Sequence, residues 1–148
     1  MTFSDLLKKI FRRQPPPVLL FDEPFCKIYF HHTIQAVHLD WHGQATTQQF
    51  QEACEFSLNL LVARKARKMI ADNSKVSTVS EENQYWLIEN WFPRAIEEGF
   101  QYSAVILSNK EIVKSALQLI VSKISTNHVI VNNFYELDQA KKWLEKVR

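Results

Sequence analysis

Three polar residues at alternate positions, His38, Asp40 and His42, form a pattern that could bind a metal ion. Side chains two residues apart in a β-strand project from the same face of the sheet. Imidazole and carboxylate groups are common zinc ligands. A solvent-facing hairpin strand also places a polar residue at every second position. The spacing therefore permits a metal-dependent enzyme, with His31 or His32 as a fourth ligand, but it is more typical of an ordinary strand.

Candidate nucleophiles and phosphate-binding loops are scarce. Cys54 falls on the apolar stripe of a predicted helix, which is the usual position of a small core residue. The chain has one other cysteine, Cys26. Two cysteines are too few for a disulfide framework, so both are expected to be free thiols. With only two glycines, Gly43 and Gly99, the chain has no phosphate-cradling loop and no dinucleotide fingerprint. We therefore predict that the protein is not an enzyme and binds no cofactor or metal.

Charge is concentrated at the N-terminus of this chain of 148 residues. The net charge is +2, and residues 1–13 carry four basic side chains and one acidic side chain, or +3, which leaves −1 for the remainder. A nearly neutral body argues against nucleic-acid binding, which depends on many Lys and Arg contacts to phosphates. The sequence has neither an apolar run long enough to span a bilayer nor a secretory signal. We expect a cytoplasmic protein.

Residues 1–17 are predicted to be an amphipathic helix followed by a proline-rich linker, separate from a domain at residues 18–148. The predicted apolar face of this helix opposes a basic face. Such a helix can pack on the domain or on a second copy of the chain, and basic amphipathic helices also bind anionic membrane surfaces. We favour packing, and homodimerisation is an expectation. The apolar face comprises Phe3, Leu6, Leu7, Ile10 and Phe11.

The domain is predicted to begin with a hairpin and to continue as alternating helices and strands. Period-two patterns predict strands at residues 18–21, 25–31 and 34–41. Capping signals at Thr46, Ser80, Ser108 and Asn133 then precede four amphipathic helices. Further strands are predicted at residues 67–72, 102–107 and 128–131. This order indicates an α/β fold, in which a mixed sheet with flanking helices starts with the hairpin and adds successive β-α units.

The stretch from Arg67 to Pro93 is the predicted site. A short strand leads into a polar loop, Asp72 to Ser80, which opens an aromatic helix at residues 81–98, and such a junction commonly carries a site in α/β proteins. Pro93 is expected to kink or break the helix and tilt its Trp86 end over the loop. The aromatic side chains are either buried on several sides or form a binding patch. The candidate binding residues are Asp72, Asn73, Ser74, Ser77, Ser80, Glu81, Tyr85, Trp86 and Trp91.

Three short motifs carry a family resemblance. Asp40, Trp41 and Gly43 form D-W-x-G after the hairpin, Ala71 to Asn73 form A-D-N, and Trp91 to Pro93 form W-F-P. With the order of elements, they resemble the STAS-like, SpoIIAA-like domains of bacteria over Val18 to Val147. The resemblance implies a SpoIIAA-like mixed sheet flanked by helices, often in single-domain proteins of unassigned role.

Anti-sigma factor antagonists of this fold are switched by phosphorylation of a serine in an Asp-Ser-Ser-Gly motif. The resemblance places Glu81 where that serine would be, so this chain departs from the pattern at its functional residue. A carboxylate at a helix N-terminus would imitate a permanently phosphorylated state.

The resemblance and the residues together leave two binding functions open. The first is a regulatory module that recognises a protein partner through the Asp72 to Ser80 loop and the aromatic helix. The second, since some relatives by fold are associated with lipid binding, is a pocket of a few hundred Å³ for a lipid or small apolar ligand beneath that helix. A metalloenzyme on His38, Asp40 and His42 comes third.

Overall fold

The computed structural model of the protein describes residues 1–12, 15–124 and 128–148. Six strands form one sheet in the same order as they occur in the chain. The strands are β1 (Val18–Glu23), β2 (Cys26–His31), β3 (Ala36–Gly43), β4 (Lys68–Val76), β5 (Tyr102–Ile106) and β6 (Ile130–Phe134). The helices are α1 (Phe3–Arg12), α2 (Thr47–Arg64), α3 (Glu81–Trp86), α4 (Phe92–Glu97), α5 (Glu111–Lys123) and α6 (Leu137–Lys146), with a π-helical segment, Leu87–Trp91, between α3 and α4.

The direction of the strands confirms the predicted α/β fold. β1, β2 and β3 pair in antiparallel fashion, and β3 to β6 are parallel. Each parallel connection moves one strand further in the same direction, and right-handed crossovers therefore place every connecting helix on the same face. Helices α2 to α5 cover that face, whereas α6, which follows the last strand, packs on the opposite face.

The sheet separates two hydrophobic cores because side chains alternate along each strand. Val37, Leu39 and Trp41 of β3 are buried in the larger core, on the face covered by helices α2 to α5. Ala36 and Ile70 belong to the smaller core, where α6 contributes its buried apolar residues. The strands are therefore apolar on both faces where helices cover both, as is usual for parallel sheets.

Local hydrogen bonds define both ends of α2. The Thr46 hydroxyl oxygen accepts a hydrogen bond from the Gln49 N–H at 3.2 Å, and the Gln49 side-chain oxygen accepts one from the Thr46 N–H at 3.0 Å. The predicted capping box is thus confirmed. Lys65 ends the helix in the left-handed conformation, with φ 51°, and its N–H donates to the Val62 carbonyl oxygen at 3.1 Å.

Of the two outcomes predicted for Pro93, a kink or a break, the structure excludes a break of the aromatic helix. Helical conformation continues from Glu81 to Glu97, and the turn before the proline widens into the π-helical segment. The Phe92 N–H bonds to the Leu87 carbonyl oxygen, five residues back. A π-helical turn adds one residue to the helix, and this turn lets the chain pass the missing N–H of Pro93 without a break.

Several predicted boundaries are wrong. β4 continues through Val76, four residues beyond its predicted end, so only residues 77–80 of the predicted polar loop lie between β4 and α3. Helix α6 begins after Glu136 rather than after Asn133, which lies in β6. Helix α5 begins after Lys110, whose N–H donates to the Ser108 hydroxyl oxygen at 3.1 Å.

The predicted N-terminal helix forms as α1. Its apolar side chains are exposed, with relative exposures of 75% for Phe3, 42% for Leu6 and 37% for Leu7. The side chains of Ile10 and Phe11, also placed on the apolar face by the sequence, lie outside the described part of the structure. The expected packing of this helix on the domain or on a second copy stays a prediction.

Candidate functional site

A cavity of about 110 Å³ lies between the sheet and the helices of the larger core. Strands β3 to β6 form its floor, and α2, the π-helical segment and α5 cover it. It extends to the carboxyl ends of β3 and β4, where α/β proteins commonly bind ligands. Its apolar lining is Leu39, Trp41, Ala45, Phe50, Cys54, Met69, Ala71, Val76, Val79, Leu87, Trp91, Phe92, Val105, Leu117, Ile120, Val121, Ile124 and Val131.

The cavity is smaller than the predicted pocket of a few hundred Å³. Engineered apolar cavities of about 150 Å³ remain dry and admit a benzene-sized molecule. A space of about 110 Å³ therefore suits one ring or a short chain in this conformation. A larger lipid would require the covering helices to move.

The first half of the predicted polar loop belongs to strand β4, and its first two residues are buried. The Asp72 carboxylate accepts hydrogen bonds from the Ser74 N–H at 3.0 Å and the Ser74 hydroxyl at 2.7 Å. The Asn73 side-chain amide donates to the Ala71 carbonyl oxygen at 3.1 Å. Asp72 and Asn73 are each 7% exposed, and Asn73 lines the cavity whereas Asp72 points to the opposite face of β4. Ser74 and Ser77 remain exposed.

The start of the aromatic helix is capped as predicted. The Ser80 hydroxyl oxygen accepts a hydrogen bond from the Asn83 N–H at 3.1 Å. Glu81, at the position that the resemblance matches to a phosphorylated serine, is exposed in the first turn, where a negative charge interacts favourably with the helix dipole. Tyr85 is the exposed aromatic side chain of this helix, at 59%.

The tryptophans of the helix pack inward, which is one of the two arrangements that the sequence left open. Trp91 is 2% exposed, and its indole N–H donates to the Cys54 carbonyl oxygen at 2.8 Å. Trp86 is half-buried and meets Phe50 edge to face, with ring centroids 6.2 Å apart. Phe50 in turn stacks on Trp41 at 4.9 Å. The aromatic helix is therefore joined to the core, and Trp91 forms part of the cavity wall.

Asn83 is a buried polar residue of the cavity that the sequence analysis did not select. It is 4% exposed, it lines the cavity, and its side-chain oxygen is buried with no hydrogen-bond partner among the described residues. The spacing in the sequence could have indicated this position, because Asn83 precedes the apolar residue Leu87 by four residues, and residues four apart lie on the same face of a helix.

The other polar groups around the cavity are His42, Ser57, Asn73, Thr78 and Ser103. The His42 Nε2 lies 3.0 Å from the Asp40 carboxylate, which also accepts a hydrogen bond from Lys75 at 3.1 Å. The Ser57 hydroxyl donates to the Cys54 carbonyl oxygen at 2.7 Å. Among the described residues, the cavity lining contains no Asp, Glu, Lys or Arg. A charged ligand group would therefore lose its hydration there without gaining a partner of opposite charge.

Both cysteines are free and buried. Burial raises the pKa of the Cys54 thiol well above its ordinary value, and burial likewise raises the pKa of Cys26. A thiol with a raised pKa is protonated at neutral pH and is a poor nucleophile. The prediction that Cys54 is a core residue is confirmed.

A buried histidine pair lies on the opposite face of the sheet. His31 Nε2 and His38 Nδ1 are 3.0 Å apart, and the two rings stack with centroids 5.1 Å apart. They are 6% and 5% exposed, and the His38 Nε2 has no hydrogen-bond partner within the described ranges. Burial lowers the pKa of each histidine to about 4, and the nearby His38 further lowers the pKa of His31.

The polar face of β3 therefore divides into two pairs. His38 pairs with His31, and His42 pairs with Asp40. Across residues 1–12, 15–124 and 128–148, no three His, Cys, Asp or Glu side chains are grouped so that they could hold a metal ion. The hypothesis of a metal-dependent enzyme on His38, Asp40 and His42 is wrong for this arrangement.

Comparison with known proteins yields a likeness in structure. No family model matches the chain, and no curated protein is significantly similar to it. One solved structure with a similar fold is that of an uncharacterized protein from the DUF3478 family with a SpoIIAA-like fold, from Shewanella loihica PV-4. It aligns with 89% of this chain and 98% of its own, with a TM-score of 0.53 and 10% sequence identity. In the described ranges, no helix has the length and apolar character needed to cross a membrane.

Proposed function

The chain has a SpoIIAA-like fold, as the sequence resemblance predicted, and from this premise we propose that it is a non-enzymatic module that binds a small apolar ligand. The observation that carries the proposal is the apolar cavity of about 110 Å³ beneath the aromatic helix. It lies at the carboxyl ends of β3 and β4, and sites of small molecules are typically concave, mostly apolar and provided with a few polar groups.

The partners of the reactive groups support binding rather than catalysis. The Cys54 thiol has a raised pKa because it is buried. The Ser57 hydroxyl is engaged by a backbone carbonyl oxygen, and His42 faces the carboxylate of Asp40. The His31 and His38 pair lies across the sheet from the cavity. A hydroxyl or thiol nucleophile needs a base within hydrogen-bond reach. Among the described residues, the hydrogen bond of the His42 ring is to Asp40 and that of the Ser57 hydroxyl is to a carbonyl oxygen, so these two side chains are not bonded to each other.

The size of the cavity sets the expected affinity. A benzene-sized molecule buries on the order of 150 to 200 Å² of apolar surface, which corresponds to about 4 to 5 kcal/mol. That free energy gives a dissociation constant between about 0.2 and 1 mM. Tighter binding would require a longer ligand and an expanded cavity.

Toluene binding followed by NMR chemical shifts tests the proposal. We expect saturable shifts in the methyl signals of cavity residues such as Leu87 and Val105. Ala71→Leu and Ala45→Leu each fill part of the cavity and should abolish the shifts, whereas Ala63→Leu, on the exposed face of α2, should not. Circular dichroism would verify that each variant is folded. Absence of saturable shifts in the unmodified chain, or equal binding by both filled variants, would refute the proposal.

A second candidate function is recognition of a protein partner by the outer face of the same helix. It is favoured by the exposure of Tyr85 at 59% and by the exposed carboxylates of Glu81 and Glu82 beside Ser77 and Ser80. A photo-reactive amino acid at position 85 should then cross-link a defined protein in cells of the native host, and the same group at exposed Gln118 should not. Identical products from both positions would exclude this surface.

A further inference from the structure

Asn83 contributes an unpaired polar group to the wall of a mostly apolar cavity. The residue is 4% exposed, and its side-chain oxygen is buried without a hydrogen-bond partner among the described residues. Its backbone N–H is already used by the Ser80 cap at 3.1 Å. Buried polar groups in folded proteins are nearly always hydrogen-bonded, and an exception calls for an explanation such as a missing ligand.

Three neighbouring polar side chains have hydrogen-bond partners within the protein. Asn73 donates to the Ala71 carbonyl oxygen, and Ser57 donates to the carbonyl oxygen of Cys54. His42 is paired with Asp40. In the part of the chain that the structure describes, the lining has no Asp, Glu, Lys or Arg side chain to compensate a ligand charge. The side-chain oxygen of Asn83, which is buried without a partner among the described residues, thus differs from Ser57, Asn73 and His42.

We infer that Asn83 determines ligand specificity by accepting a hydrogen bond from an O–H or N–H group of the ligand. The ligand class is a small, neutral, mainly apolar molecule with one hydrogen-bond donor, of the kind represented by phenol and short alcohols. This inference rests on the proposed function and deepens it. A carboxylate or ammonium group is disfavoured because the lining offers no opposite charge.

The chemistry of the amide sets the size of the expected effect. A carboxamide oxygen is an acceptor with two lone pairs and no proton to give. A hydrogen bond between neutral groups stabilises a complex by an amount that corresponds to about a 3- to 10-fold change in affinity. Discrimination between a donor-bearing ligand and a shape-matched apolar ligand should change by that factor when the oxygen is removed.

Phenol and toluene are a suitable probe pair because they have nearly the same shape and differ by one donor. The quantity to measure is the ratio of their dissociation constants in the unmodified chain and in Asn83→Leu, by NMR titration. Leucine keeps the approximate shape of asparagine and leaves the backbone N–H free to bond with Ser80. Asn90→Leu, an exposed asparagine of the same helical run, is the matched control.

We expect the preference for phenol over toluene to fall about 3- to 10-fold in Asn83→Leu and to stay unchanged in Asn90→Leu. An unchanged preference in Asn83→Leu, with toluene still bound, would overturn the role of Asn83 and leave the proposed function intact. Failure of both probes to bind the unmodified chain would instead overturn the proposed function. Tighter binding of anisole than of phenol would show that the amide presents its NH₂ group, which would overturn the assignment of a donor ligand.

Discussion

The buried pair of His31 and His38 predicts that the protein loses stability as the pH falls from 7 to 5. Burial holds the pKa of each ring at about 4, against an ordinary value of 6.5. Between these values the unfolded chain binds protons that the folded chain does not, so the free energy of unfolding decreases with decreasing pH. The contribution is present above about pH 6.5 and is lost progressively down to about pH 4.

The size of this loss of stability follows from the linkage between proton binding and folding. For one histidine with these two pKa values, the loss between pH 7 and pH 5 is about 2 kcal/mol. The loss approaches about 4 kcal/mol if both rings remain neutral in the folded state over this range. The pKa of about 4 for His38 already includes the charged groups around it, of which Asp40 and Asp72 favour its protonation while Lys75 and Lys141 oppose it.

Urea unfolding at several pH values between 7 and 5 measures this loss. His31→Leu together with His38→Leu removes both titrating groups and should flatten the pH dependence in this range. His32→Gln, an exposed histidine of the adjacent turn, should leave it unchanged. Carboxylates also begin to titrate near pH 5, so the difference between the chains is the quantity to compare. Equal slopes in the unmodified chain and the double variant would refute the reasoning.

Three further substitutions test local features of the site. Ser80→Ala removes the hydroxyl oxygen that accepts the Asn83 N–H and should lower the free energy of unfolding by about 1 kcal/mol; an unchanged urea midpoint would contradict the cap. Trp91→Phe removes the hydrogen bond to the Cys54 carbonyl oxygen and leaves a space, at a cost of about 2 to 4 kcal/mol in the same assay. A cost below about 0.5 kcal/mol would mean that Trp91 is not a core residue. Gly43→Ala meets no atom within 4 Å of the added carbon, but its φ of +65° should cost about 1 kcal/mol, and a neutral result would contradict the left-handed conformation.

The order of elements and the helix caps were predictable because they depend on residues close together in the chain. The capping oxygens of Thr46 and Ser80 act on N–H groups three residues away, which a sequence pattern contains directly. Period-two and period-3.6 patterns likewise gave the alternation of strands and helices. From these the mixed sheet with parallel later strands followed by the rules of chain connection.

The end of β4 was predicted wrongly because polar residues continue the strand. The predicted strand ended at Asp72, where the run of apolar residues stops. In the structure β3 shifts register between Asp40 and His42, and pairing continues to Gly43 opposite Val76. The carboxylate of Asp72 is satisfied by Ser74 inside the strand. Neither a shift in strand register nor a local side-chain hydrogen bond can be predicted from the pattern of hydrophobic residues.

The polar side of the site could not be predicted because it depends on packing between distant elements. The sequence does not reveal that His31 of β2 lies against His38 of the neighbouring strand β3. It also does not reveal that Asn83 is buried while Tyr85 of the same helix is exposed. Nor does the sequence distinguish a core tryptophan from a surface tryptophan. Here Trp91 is identified as a core residue by its hydrogen bond to the Cys54 carbonyl oxygen of α2. These outcomes are fixed by which face each helix turns to the sheet.

The cavity beneath the aromatic helix also makes the protein sensitive to hydrostatic pressure. Internal voids are eliminated when a chain unfolds into water, so pressure favours the unfolded state in proportion to them. The cavity of about 110 Å³ corresponds to about 65 mL per mole of protein. Compression to a few kilobar should therefore populate states in which water enters between the sheet and the π-helical segment before the smaller core under α6 is disturbed.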